Sequence, residues 1–181
     1  MDQNETLYLQ FLAGNEAALA QLIDAHKVGL TLFLAGYVKD EAAAEELMED
    51  TFVRLVVRRP HFSGKSSFKT FLYAIGRNLA LDYLRREKRR RTVPLESAEN
   101  LAALQSAEEA YLKEESERNL HRAMQKLKEA DREVLYLRYF EALPPGEIAS
   151  LLHKRKKQVE SRLYHAKKAL KAILEEQEEA R

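Results

Sequence analysis

The chain has 181 residues, with 30 basic and 29 acidic side chains, a net charge of +1 and no cysteine. The length suits two small domains, each large enough to fold without metals or disulfides, and the missing cysteines exclude disulfides, thiolate metal sites and a cysteine nucleophile. The charges are segregated: residues 85–91 carry six bases and one acid, 92–117 seven acids and one base, and 154–168 seven bases and one acid. Two basic surfaces flanking an acidic spacer are therefore expected, and a polyanionic partner would be recognised locally rather than through total charge.

In chain order, Leu7, Leu9, Phe11 and Leu12 form a short apolar start, which Gly14 breaks. Asn15 is a suitable N-cap for a helix to about Val38, with Leu19, Leu22, Ile23, Leu30 and Phe33 on its buried side. The longest nearly apolar run, Val28 to Val38, is about half of the ~20 residues that a membrane span needs, and the N-terminus has no basic segment followed by an apolar core. A cytoplasmic protein, neither secreted nor inserted, is expected. Asp40 caps a further helix in which Leu47, Met48, Thr51, Phe52, Leu55 and Val56 pack, while Glu45, Glu46, Glu49 and Asp50 form an outward acidic face. Arg58 to Gly64 contains Pro60 and Gly64 and reads as a loop.

The next helix is central. Ser66 or Ser67 can cap it, and Phe68, Leu72, Ile75, Leu79 and Tyr83 recur at steps of three and four, which places them on one buried face. From Arg85 that stripe gives way to Arg85, Arg86, Lys88, Arg89, Arg90 and Arg91, more positive charge than a helix C-terminus needs for its dipole. Phe62, Phe68, Phe71, Tyr73 and Tyr83 lie near Lys65, Lys69, Arg77 and Asn78, a mixture suited to stacking unpaired bases while cations follow the phosphates. Buried aromatics at helical spacing would give the same pattern.

Thr92, Val93 and Pro94 end the basic helix. Residues 92–117 are rich in Glu and Ala, with too few large apolar residues for a core, and read as a linker between domains at 1–91 and 118–181. The second domain opens with Leu120, Met124 and Leu127. Asp131 is expected to cap a helix containing Val134, Leu135, Leu137 and Phe140, and Pro145 suits the first turn of the next. That short helix holds Ile148, Leu151 and Leu152. The turn at His153, Lys154 and Arg155 leads into a longer helix with Val159, Leu163, Ala166, Leu170 and Ile173, after which Glu175 to Arg181 reads as a frayed acidic end. Short helix, tight turn and basic helix form a helix-turn-helix pattern. Its exposed duplex-facing candidates are Lys154, Arg155, Lys156, Lys157, Gln158, Ser161, Arg162, His165 and Lys168; a plain helical hairpin with a solvated basic face would share the pattern.

Three blocks in this order resemble the bacterial sigma-70 family, in its extracytoplasmic-function subgroup. DEAAAEELMEDTFVRLV at 40–56 is similar to the family's core-polymerase-binding segment, with Glu46-Leu47-Met48 and Asp50-Thr51-Phe52 at its two acidic-apolar steps. FKTFLYAIGRNLALDYLRREKR at 68–89 resembles the segment that melts and reads the promoter −10 element. REVLYLRYFEALPPGEIASLL followed by VESRLYHAKKAL resembles the −35-reading domain. The resemblance implies an all-α protein of two helical domains, a region-2-like bundle and a region-4-like helix-turn-helix. It implies core-polymerase contacts at Glu46, Met48, Asp50 and Phe52, to which the outward acidic face adds Glu45 and Glu49, and −10 contacts at Phe71, Arg77, Asn78, Arg85 and Arg86, to which the aromatic-basic loop before the helix adds Phe62 and Lys65. Its partners would be the β′ clamp helices and β flap of RNA polymerase core and promoter DNA, with room for an anti-sigma factor and no cofactor. Phe71 stands where the family usually has tryptophan, which keeps a stacking surface of smaller area. Pro144-Pro145-Gly146 and the basic turn 153–157 also depart from the usual pattern, in the part that sets −35 preference.

Two other functions fit parts of the chain. Glu45, Glu46, Glu49 and Asp50 include i,i+4 pairs that could hold Mg²⁺ for phosphodiester chemistry, but no companion His/carboxylate motif or glycine-rich phosphate loop accompanies them. A free-standing repressor or activator would use only the C-terminal helix-turn-helix and leave the aromatic-basic N-terminal domain without a purpose. The expected protein is a non-catalytic promoter-specificity subunit, monomeric when free because no third apolar surface stands beyond the two cores.

Overall fold

The computed structural model describes residues 2–90 and 115–179. The chain divides into two compact units, Met1–Glu96 and Ser97–Arg181. Residues 91–114, which hold Arg91 to Pro94 and all but the last three residues of the acidic spacer 92–117, lie outside the described residues; those last three, Glu115 to Glu117, are helical.

The N-terminal unit packs four helices: α1 (Gln3–Leu12), α2 (Glu16–Val38), α3 (Glu41–Arg58) and α4 (Phe68–Arg90). The apolar start is itself a helix, begun by the Asp2 amide donating to Glu5 at 3.1 Å. Its Tyr8 is fully buried, and the phenol donates to the Pro60 carbonyl at 2.7 Å, which ties α1 to the loop before α4. Asn15 accepts from the Ala17 amide at 3.1 Å and Asp40 from the Ala43 amide at 2.8 Å, so α2 and α3 start at the two expected caps. Both end on a left-handed residue, Lys39 (φ 53°) and Arg59 (φ 41°), where glycine would be the usual choice. Ser67 Oγ accepts from the Thr70 amide at 3.3 Å and starts α4.

α2, α3 and α4 pack on one another around Leu22, Leu30, Leu34, Leu55, Phe68, Leu72 and Tyr73. Each fully buried Leu or Phe contributes about 1.5–3 kcal/mol. Gly76 lies where α4 crosses its neighbours: a Cβ there would stand 3.1 Å from both Leu30 Cδ1 and Thr51 Oγ1, so the absence of a side chain sets how closely the helices approach. α2 is long and apolar enough to cross a membrane by length and composition alone, but its Leu22, Leu30, Phe33 and Leu34 are core residues of this bundle.

The buried faces differ in detail from the sequence expectation. On α4, Tyr73 is fully buried and Thr70, Gly76 and Ala80 are also interior, whereas Ile75 and Tyr83 are half-buried. On α2, His26, Leu34 and Tyr37 are buried while Leu19 and Ile23 are half-buried. Interior faces on three sides of α4 explain this, because a helix contacted by α1, α2 and α3 buries more than one stripe.

The C-terminal unit contains α5 (Glu115–Lys126), α6 (Glu129–Leu135), α7 (Pro145–Leu152) and α8 (Lys156–Glu179), and α6 runs on as a π-helical turn, Tyr136–Phe140. α6, α5 and α7 all pack on α8. Lys128, not Asp131, is the residue preceding α6, and Asp131 stands in its first turn. In the π turn the Glu141 amide bonds to the Tyr136 carbonyl at 3.2 Å, which inserts one residue and shifts the end of the turn off the α-helical stripe. Phe140, expected in the core, is consequently 54% exposed, while Glu141 turns inward and accepts from the Tyr136 phenol at 3.1 Å. Pro145 opens α7 as expected, and His153 (φ 53°) makes the left-handed turn into α8. α8 is helical to Glu179, through most of the expected frayed end.

Candidate nucleic-acid interface

The first surface surrounds the start of α4. Phe68 and Tyr73, expected among the base-stacking aromatics, are fully buried and belong to the core. The outer rings are Phe62 and Phe71, both half-buried, with centroids 5.3 Å apart. Phe71 also lies 6.1 Å from Tyr8 and from Phe68, so it bridges the core cluster and the surface. Lys65 and Asn78 are exposed nearby in sequence. Arg77 is half-buried, its Nε donating to the Tyr37 phenol at 2.9 Å; burial lowers its proton affinity, but a guanidinium stays charged.

Towards the end of α4, Arg85 pairs with Asp82 at 2.8 Å and Arg86 Nε reaches the Asp82 carbonyl at 3.4 Å. Exposed pairs of this kind are worth at most about 1 kcal/mol, so a phosphate can replace Asp82 as the partner of Arg85. Lys88, Arg89 and Arg90 continue the exposed basic end.

The second surface is the α7–α8 pair. Val159, Leu163 and Ala166 fix α8 on the unit's core, and Lys154, Arg155, Lys156, Lys157, Gln158, Ser161, Arg162, His165 and Lys168 are all exposed. Several of these have partners within the fold. Gln158 Oε1 accepts from the Arg155 amide at 2.9 Å and so holds the turn, Lys156 lies 3.7 Å from Glu160, and Arg162 Nη1 donates to Asp131 at 2.9 Å. Sequence reasoning missed Tyr164, which is 61% exposed with the Lys168 ammonium 5.9 Å from its ring centre; its place outside the Val159–Leu163–Ala166 stripe was the available signal. It also missed Asp131 and Glu133. Glu133 is half-buried, and desolvation pushes its carboxyl up to about 7 against the opposing pull of Arg162 and Lys154.

The third surface is the outward side of α3. Glu45, Glu46, Glu49 and Asp50 are exposed and Met48 is half-buried. Phe52, expected at a partner contact, is 5% exposed and packs in the core, because it falls on the Leu47–Leu55 side of the helix. Val53 and Val57, not singled out from the sequence, are 56% and 74% exposed and extend the acidic stripe with apolar surface. Among the described residues no three His, Asp, Glu or Cys side chains come together as a metal ligand set.

Residues 22–90 match Sigma-70 region 2, and residues 117–170 match Sigma-70, region 4. The ECF RNA polymerase sigma factor SigM of Bacillus subtilis is 31% identical over 144 residues, which is 78% of this chain and 85% of SigM. The chain belongs to the sigma-70 family. Within it, this extracytoplasmic-function sigma factor is 28% identical to the RNA polymerase sigma-H factor of Pseudomonas aeruginosa over 183 residues, 96% of this chain and 95% of that one. The solved structure of CnrH in complex with the cytosolic domain of CnrY is similar with a TM-score of 0.67 and 26% identity, over 96% of this chain and 98% of CnrH. The all-α, two-region architecture and the function of an RNA polymerase sigma factor follow, and sigma factors are typically non-enzymatic DNA-binding regulators. The free-standing repressor is not favoured.

Proposed function

We propose that this sigma factor divides promoter recognition between its two basic surfaces. The region-2-like domain, residues 1–91, handles the melted −10 strand through Phe62, Lys65, Phe71, Arg77, Asn78, Arg85 and Arg86. The region-4-like domain, 118–181, docks on −35 duplex through α8, with residues 92–117 as linker. Gln158 and Ser161 face base edges, Lys154, Arg155 and Lys168 face phosphates, and Lys156, Lys157, Arg162 and His165 complete the exposed row. The observation that carries this reading is the difference between the surfaces: outer aromatic rings accompany the cations around the start of α4, as stacking on unpaired bases requires, whereas α8 presents a continuous row of cations and small polar groups, as groove docking requires.

The acidic and apolar stripe of α3, from Glu45, Glu46, Glu49 and Asp50 to Val53 and Val57, docks on the β′ clamp helices of core polymerase, and the C-terminal domain meets the β flap. Phe52 supports this stripe from beneath. The chain has no catalytic role of its own, acts in the cytoplasm without a cofactor, and is monomeric when free. Because CnrH is solved with the cytosolic domain of another protein, an anti-sigma partner that covers these surfaces is part of the proposal.

Four phosphate contacts by α8 would give a slope of log K against log salt near −3.6, with non-specific affinity of only about 10⁻⁴ to 10⁻⁶ M at physiological salt. Core polymerase converts the second contact into an intramolecular one and raises the effective concentration. The test is a gel shift on one promoter with and without core enzyme, paired with run-off transcription on genomic fragments. Discrete start sites and a large gain in binding with core are expected. Tight sequence-specific binding by the protein alone, with no gain from core, would return the repressor reading.

A further inference from the structure

Arg162 belongs by position to the exposed row of α8, yet its guanidinium is drawn back to Asp131 on α6, 31 residues earlier, at 2.9 Å. The two sides of the pair differ in environment: the Arg162 side chain is 48% exposed and that of Asp131 only 17%. An exposed pair would exchange readily for a phosphate. Here removal of the guanidinium would leave a mostly buried carboxylate without its counter-charge, which opposes the exchange. The Asp131 backbone is fixed in the first turn of α6, its amide bonded to the Lys128 carbonyl at 2.9 Å, so the carboxylate can move only by side-chain rotation. Two residues on, Glu133 feels the charges of Arg162 and of Lys154 in the turn. One helix thus directs two carboxylates at cations of the helix-turn-helix.

We infer that Asp131 is a positioning residue for promoter selectivity: it holds Arg162 against α6 and withholds that cation from the DNA phosphates, so that sequence-independent attraction by α8 is kept low. Arg162 is then a brace between the recognition helix and α6, not a base reader. This inference rests on the helix-turn-helix reading above and adds to it which cation is removed from the interface and by which residue. Non-specific attraction scales with the number of phosphates neutralised, each contributing about 0.9 to the salt slope, so one withheld arginine is measurable.

The experiment follows binding of the full chain to a fluorescent duplex of random sequence by anisotropy, over about 50 to 300 mM salt. Asp131→Asn should steepen the slope by about 0.9 and tighten binding to random duplex. Asp131→Asn with Arg162→Gln should return the wild-type slope, which separates a released arginine from the simple loss of a negative charge. Arg162→Gln alone should leave the slope unchanged. If it flattens the slope by about 0.9, Arg162 contacts phosphate in the wild type and the inference is wrong; an unchanged slope in folded Asp131→Asn overturns it equally. The double variant leaves neither member of the pair uncompensated, so it decides the matter even if a single variant fails to fold: a slope about 0.9 flatter than wild type overturns the inference. Lys154→Gln with Lys157→Gln reports on the underlying reading: a flatter slope supports duplex docking by this surface, and no change overturns that reading and this inference with it.

Discussion

Replacing Glu133 with glutamine should stabilise the C-terminal unit, and only as pH rises. Burial pushes this carboxyl from its ordinary 4.5 up to about 7, although Arg162 and Lys154 pull it down. Below pH 4.5 the group is protonated in both the folded and unfolded chain and contributes nothing to pH dependence. Between 4.5 and 7 the unfolded chain loses its proton first, so the folded state binds more protons and stability falls with rising pH. Above pH 7 the charged carboxylate remains in its desolvated site; at about 1.4 kcal/mol per pH unit, the displacement corresponds to about 3 kcal/mol. Glutamine resembles the protonated acid and does not titrate. The difference between Glu133→Gln and wild type should therefore be near zero around pH 4.5 and widen towards about 3 kcal/mol at pH 8. Hydrogen exchange at the buried amides of Val159, Leu163 and Ala166, corrected for intrinsic rates, reports on this unit separately from the N-terminal one. A gap that does not change with pH, or a glutamine variant less stable than wild type at pH 8, would refute the reasoning and make the attraction to Arg162 and Lys154 the dominant effect.

Glu46→Lys with Asp50→Lys changes only exposed positions, so thermal stability should move by less than about 0.5 kcal/mol per substitution while affinity for core polymerase, measured by pull-down or anisotropy, is lost. Phe62→Ala should weaken promoter melting, read as reduced permanganate reactivity of the open region, with losses of about 1–3 kcal/mol for one unstacked base; an unaltered footprint would make Phe62 purely structural. Gly76→Val should destabilise the N-terminal unit by about 1–3 kcal/mol in urea titrations, because its Cβ already stands 3.1 Å from Leu30 and Thr51 before any further methyl is added. Tyr8→Phe removes the phenol that donates to the Pro60 carbonyl and should cost about 1 kcal/mol, measured in the same titrations.

What could be read directly from the sequence was local. Asn15 and Asp40 cap their helices because a side-chain oxygen meets an amide two or three residues on, and Pro145, His153 and the Val159–Leu163–Ala166 stripe delimit the helix-turn-helix within about twenty residues. The acidic side of α3 and the basic row of α8 were legible for the same reason, since helical periodicity converts spacing into faces. Tertiary packing decided what periodicity leaves degenerate. Phe68 is core because Tyr8 of α1, tied to the Pro60 carbonyl 52 residues away, packs on it at 5.2 Å, and Tyr73 because Phe33 of α2 lies 5.1 Å from it, while Phe62 and Phe71 are only half-buried. Phe140 faces outward because the stretch Tyr136–Phe140 is a π turn, whose wider spacing takes its last residue off the stripe of Val134 and Leu137. Arg162, indistinguishable in sequence from its neighbouring cations, is set apart by a carboxylate 31 residues away. Spacing determines which side of a helix a residue occupies; only the packed fold determines what stands opposite it, and hence which charges remain available to a partner.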